Sequence, residues 1–143
     1  MSFHGLEKIM ANKRWQKESS KPSDGEFRIL NVLWKIGPCT VRQVFEELEE
    51  KTGVGYTTIL KYLQIMHEKG LVTRDESARS HVYAANLSRD DAQEQIVDDL
   101  LDTVFDGSRG RLVMRIISQT KASPKELADI KNIIADLEKE ETP

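Results

Sequence analysis

The apolar positions of the chain fall into six helical stretches and one short β-prone pair. After Pro22, Ser23-Asp24-Gly25-Glu26 has the spacing of a capping box, with Ser23 as the N-cap and Glu26 reaching back to it. Phe27, Leu30, Leu33 and Trp34 then recur at helical intervals until Gly37-Pro38, where proline ends the hydrogen-bond ladder. Thr40 to Gln43 is a second capping box. It opens a helix with Val41, Val44, Phe45 and Leu48 on one face and Glu46, Glu47, Glu49 and Glu50 on a solvated one. A third helix is expected from about Gly55 to Lys69, stopped by Gly70, with Ile59, Leu63 and Met66 as its buried stripe. Leu71 to Arg74 and His81 to Ala84 alternate as strands around a polar turn, the pattern of a β-hairpin.

Three further helices complete the pattern. The fourth is capped by Ser88, carries Ile96, Val97, Leu100, Leu101, Val104 and Phe105, and ends at Gly107. The fifth holds Leu112, Val113, Met114, Ile116 and Ile117. The sixth opens on the capping box Ser123-Pro124-Lys125-Glu126 and runs through Leu127, Ile130, Ile134 and Leu137. Residues 1–22 read as a basic, weakly ordered arm, with Leu6, Ile9 and Met10 available to one helical face.

Helix, helix, tight turn, helix, hairpin is the order of a winged helix-turn-helix. The expected fold is therefore mainly α with a small β-hairpin wing. A winged helix-turn-helix at 23–87 is followed by a three-helix dimerisation domain at 88–143. A helix that reads the major groove needs one apolar side and one polar or basic side, and the third helix has both. Tyr56, Thr57, Thr58, Lys61 and Gln64 are its candidate DNA contacts. Thr40 and Arg42 open the second helix, where free amides favour a phosphate. Arg74 and Arg79 lie on the hairpin, where a basic wing can follow the backbone or enter the minor groove. Each residue also has an ordinary alternative: the threonines as caps, Lys61 solvated, and the two arginines paired with Asp75 and Glu76.

The last 56 residues carry 16 large apolar side chains on three helices. A layer that thin cannot hide them all, so pairing with a second copy is expected. Ile96, Leu100, Leu101, Val104, Leu112, Val113, Ile116, Leu127, Ile130, Ile134 and Leu137 are the candidate dimer interface. Packing back onto the N-terminal module is the alternative.

Charge changes this picture less than its total suggests. The net charge is −3 over 143 residues, which by itself argues against a polyanion. By segment it is +3 over 1–22, −1 over 23–87 and −5 over 88–143, so the acid belongs to the C-terminal helices. The one cysteine, Cys39, excludes an internal disulfide and any multi-cysteine metal site, and reads as a small buried residue. His4, His67 and His81 have no paired metal-ligand spacing, and no phosphate loop or nucleophile elbow is present. Neither an enzyme nor a metal or cofactor is expected. With no apolar run of membrane length and no secretory signal pattern, the expected address is cytoplasmic.

These motifs together resemble one family. Phe27 through Trp34-Lys35-Ile36-Gly37-Pro38, Thr40-Val41-Arg42, Gly55-Tyr56-Thr57-Thr58-Ile59, Glu68-Lys69-Gly70-Leu71-Val72 and the run from Leu100-Leu101 to Phe105-Asp106-Gly107-Ser108 are similar to the penicillinase-repressor (BlaI/MecI/CopY) family. The resemblance covers about residues 22–140. It implies a homodimeric repressor on a double-stranded dyad operator with TACA/TGTA-like half-sites. In one branch, relief begins with a membrane sensor metallopeptidase and ends in cleavage of the dimerisation domain. In another, metal binds C-terminal cysteines, which this chain lacks. Where the β-lactamase repressors have Asn-Phe at the cleavage point, this chain has Arg115-Ile116. Leu60 and Ile65 also depart from the family's recognition helix, so a different operator sequence is expected. A protein-interaction adaptor built on a winged-helix scaffold is the alternative function.

Overall fold

A computed structural model describes Trp15, residues 20–119 and residues 121–141. The helical face of Leu6, Ile9 and Met10 lies outside the described residues. Trp15 is half-buried and packs against the core. The elements run α1 (Asp24–Ile36), β1 (Cys39–Thr40), α2 (Val41–Thr52), α3 (Tyr56–Lys69), β2 (Val72–Asp75), β3 (Val82–Ala85), α4 (Arg89–Thr103), α5 (Arg109–Gln119) and α6 (Pro124–Glu141). The chain divides into two compact units, Met1–Val97 and Asp98–Pro143, and the boundary falls within α4.

Local chemistry sets the helix ends. At α1 the Ser23 N–H donates to Glu26 Oε1 at 2.8 Å, and the Glu26 N–H donates to Ser23 Oγ at 3.3 Å. Thr40 and Gln43 make the same exchange at α2, at 2.8 and 3.2 Å. The third helix ends on Gly70 at φ 81°, a left-handed position that glycine enters without a Cβ penalty. The Leu71 N–H then reaches back to the Met66 carbonyl at 2.9 Å, closing the turn.

The sheet has order β1-β3-β2, all antiparallel. In the hairpin Val72 faces Ala85 and Asp75 faces Val82, so both strands begin one residue later than the sequence pattern places them. The sequence pattern also omits β1. Cys39 and Thr40 pair with Tyr83 and Val82, which turns the hairpin into a three-stranded sheet. A two-residue strand has no periodicity of its own. Only its partner across the sheet makes it one.

The core of the first unit joins Ile29, Leu30 and Leu33 of α1 to Val44 and Leu48 of α2 and to Ile59, Leu63 and Met66 of α3. Leu71, Val72, Cys39 and Tyr83 close it from the sheet side. Full burial of each large side chain contributes roughly 1.5–3 kcal/mol. Phe27 and Trp34 lie at the edge of this core rather than inside it, while Ile29 and Val32 fill the interior. Trp34 Nε1 donates to the Leu87 carbonyl at 2.9 Å, and the Arg89 guanidinium lies 5.9 Å from the Trp34 ring. Cys39 is fully buried and its thiol donates to the Gly37 carbonyl at 3.1 Å. Burial, and then the nearby Glu47 carboxylate, push the Cys39 thiol above its ordinary pKa, so it stays protonated.

One ion pair and one close packing contact fasten α1 to α3. Lys69, the last residue of α3, donates to the buried Glu26 at 2.7 Å, while the same carboxylate accepts from Ser23. Next to Glu26 in sequence, Gly25 packs against the Tyr62 ring so closely that a Cβ there would lie 2.6 Å from the phenol oxygen.

The second unit is built differently. Ser108 caps α5 by accepting from the Arg111 N–H at 3.3 Å. Ser123 and Glu126 form the reciprocal box of α6, both bonds at 3.1 Å, with Pro124 as its first residue. The turn before α5 places Asp106 at φ 50° and Gly107 at φ 77°. The Ser123–Glu126 box matches the sequence pattern, whereas α4 stops at Thr103 and leaves Val104 and Phe105 in the turn before α5, and the apolar faces of these helices stay largely open. Leu112 is 8% exposed, whereas Val104, Met114, Ile116, Ile133 and Leu137 are more than half exposed.

Candidate nucleic-acid interface

The third helix separates its two faces cleanly. Ile59, Leu63 and Met66, spaced four and three apart, are buried, and they fix the opposite face towards solvent. That face carries Thr57, Thr58, Lys61 and Gln64, all exposed, and Tyr56, three residues before Ile59, is exposed at its edge in the first turn. Gly55 is the N-cap and supplies no side-chain hydrogen bond to the first amides of the helix. The sequence pattern groups these five residues together, and the structure sets them along one helix.

Thr40 and Arg42 lie at the start of α2. The Thr40 hydroxyl is used internally, accepting from the Gln43 N–H. Arg42 is exposed, in a first turn that contains no acidic residue. Its guanidinium carbon lies 5.1 Å from the centre of the Tyr56 ring and 6.0 Å from that of Phe45. The two rings meet edge to face at 5.7 Å and 72°. The cation therefore links the first turn of α2 to the first residue of α3. Spacing along α2 marks Phe45 only as a core residue. Its place in this cluster depends on a contact between helices that spacing along one helix does not reveal.

The two hairpin arginines have different settings. Arg79 is exposed in the turn, where all of residues 76–81 are open to solvent. Arg74 is half-buried and pairs with Glu76 at 2.7 Å. Hydrogen bonding to Tyr83, with the Glu76 charge, holds its guanidinium above the ordinary pKa. Arg74 is thus engaged within the wing. Asp75 shapes the turn by accepting from the Ser77 N–H at 2.9 Å. Ser77, through its hydroxyl and its N–H, holds the Asp75 carboxyl below its ordinary pKa.

A family model described as penicillinase repressor matches residues 22–136. The chain belongs to the penicillinase repressor family. It is 32% identical over 117 residues to the transcriptional regulator BlaI of Mycobacterium tuberculosis, covering 80% of this chain and 83% of that one. Against the penicillinase repressor of Bacillus licheniformis it is 22% identical over 120 residues, covering 84% of this chain and 94% of the relative. The solution structure of the DNA-binding domain of the repressor BlaI aligns with 53% of this chain and 93% of its own, at 26% identity and a TM-score of 0.47. These relatives are transcriptional regulators rather than enzymes. Among the described residues, no group of three or more His, Cys, Asp or Glu side chains could hold a metal ion. No described helix of this family member is long and apolar enough to cross a membrane.

Proposed function

We propose that this chain is a transcriptional repressor that binds double-stranded DNA as a homodimer on a dyad operator. The observation that carries the reading is the exposed polar face of α3, presented by a winged helix that buries the opposite face. In this reading α3 enters the major groove. Thr58 and Lys61 meet base edges, and Thr57 and Gln64 flank them. Arg79 carries the wing to the phosphate backbone or the minor groove. The Arg74–Glu76 pair maintains the wing's shape.

The second copy is supported by the open apolar faces of α4, α5 and α6. Leu100, Val104, Val113, Ile116, Leu127, Ile134 and Leu137 are each 39% exposed or more. A groove of about 780 Å³ between Val104, Phe105, Met114 and Arg115 adds to the uncovered surface of that unit. Leu112 is already buried within its own chain, so it supports the interface from behind. Symmetric pairing would set two recognition helices about one DNA turn apart.

The signal that relieves repression is unidentified, and the form the family resemblance offers is proteolysis in the dimerisation domain near Arg115-Ile116, started by a membrane sensor metallopeptidase. Both residues are exposed on α5. Mass analysis of the repressor from induced cells would show one fragment ending at Arg115 and one beginning at Ile116, and an intact chain under induction would remove this part of the reading.

The main test is fluorescence anisotropy on a duplex from the promoter upstream of its own gene, across a salt series and against a scrambled duplex. Lys61→Ala and Thr58→Ala should narrow the gap between the two duplexes. Arg79→Ala should weaken both and flatten the salt slope by about 0.9 for each phosphate that is no longer neutralised. Equal affinity of the wild-type protein for both duplexes would defeat sequence-specific binding.

A further inference from the structure

Arg42 occupies an unfavourable place for a cation. It lies in the first turn of α2, where the helix dipole presents its positive end, and no acidic residue shares that turn. Among the described residues no carboxylate forms a salt bridge with it, although α2 carries four glutamates further along. Its partners are aromatic. Tyr56 lies below the guanidinium at 5.1 Å and Phe45 borders it at 6.0 Å, while the two rings brace each other edge to face. Stacking satisfies the flat face of a guanidinium and leaves its N–H fork free, whereas a salt bridge would occupy the fork. Tyr56 is 39% exposed, so its ring is held at the surface beside the polar face of α3 rather than drawn into the core.

We propose that Tyr56 is a positioning residue for Arg42. Its ring, braced by Phe45, holds the guanidinium fork ready for one DNA phosphate at the junction of α2 and α3. This rests on the DNA-binding reading above and deepens it. A free arginine side chain gives up rotamer entropy when it is fixed on a ligand, and a stacked one has already given up part of that freedom before the duplex arrives. The arrangement also couples the phosphate contact to the recognition helix, because the ring that orients Arg42 is the first residue of α3.

The test uses the full chain with the same two duplexes and salt series. Arg42→Ala should weaken binding to both duplexes about tenfold and lower the salt slope by about 0.9 per protomer bound. Tyr56→Leu should weaken binding roughly three- to fivefold when Arg42 is present, and have almost no effect when combined with Arg42→Ala. Tyr56→Phe keeps the ring and should bind like the wild type. Circular dichroism and thermal midpoints of each variant separate weakened binding from failed folding. If Tyr56→Phe binds as poorly as Tyr56→Leu, the hydroxyl acts on DNA directly and the positioning role is overturned. Additive losses in the double variant overturn it as well. If the wild-type chain binds neither duplex at low salt, the DNA-binding reading fails and takes this inference with it.

Discussion

The two units of this chain solve the problem of burial in opposite ways. Among the described residues, those up to Val97 enclose fifteen of the sixteen buried apolar side chains, and only Leu112 is enclosed beyond them. Ten of the thirteen exposed large hydrophobics among the described residues lie after Asp98. The sequences of the two regions are similarly regular, with capped helices and correct spacing. The difference is that α1, α2, α3 and the sheet face one shared centre, whereas α5 and α6 leave their apolar faces to solvent. A unit that closes its own core can stand as a monomer. One that exposes Met114 at 69% and Val104 at 65% has surface for a partner.

The largest effect is expected in the open unit. Ile134→Glu combined with Leu137→Glu places charge on the open face of α6. With four apolar side chains removed per dimer at roughly 1.5–3 kcal/mol each, association should weaken by more than about ten-thousandfold. Sedimentation equilibrium should show a dimer for the wild type and a monomer for the variant. If the variant still sediments as a dimer, this face is not where the copies meet.

A smaller effect is expected in the closed unit. Lys69→Met removes the partner of the buried Glu26 carboxylate and should cost about 2–4 kcal/mol, the lower part of the range reflecting a lysine that is 22% exposed. Urea unfolding followed through the tryptophans would read this, with the oligomeric state unchanged. Gly25→Ala drives a Cβ into the Tyr62 ring and should cost about 1–2 kcal/mol by the same measurement. A neutral or stabilising result would mean that α1 and α3 can separate without loss.

The smallest effect concerns the wing. Ser77 lowers the Asp75 pKa in the folded chain, so the carboxylate's contribution is present above its unfolded value, near about pH 4. It is lost as the pH falls through the lower folded value. Asp75→Asn should therefore lie slightly below the wild type in thermal stability at neutral pH and converge with it on acidification. A constant gap at all pH values would place the Asn effect elsewhere than in the charge.

Much of this architecture was legible because its determinants are local. Ser23 with Glu26, Thr40 with Gln43, and Ser123 with Glu126 are each three residues apart, so the hydrogen bonds that start three helices are written in adjacent letters. The two faces of α3 were legible for the same reason, since a 3.6-residue period sorts Ile59, Leu63 and Met66 from Thr57, Thr58, Lys61 and Gln64. Other features were not. Glu26 reads as a cap, and its ion pair with Lys69, 43 residues away, has no local signature. Arg74 reads as a candidate DNA contact, and its engagement with Tyr83 and Glu76 depends on the register of the hairpin.

The sequence by itself determined the six helices, the caps that start them, the faces they offer, the unequal distribution of charge and the family. Each follows from short-range spacing or from the residues themselves. The tertiary structure decided which faces meet. It made Cys39 and Thr40 a strand, set Gly25 against Tyr62, stacked Arg42 on an aromatic pair drawn from two helices, and left α5 and α6 uncovered. The physical reason is that a backbone hydrogen bond within a helix is fixed by position along the chain. A contact between elements is fixed only once their packing has brought distant residues within a few ångströms.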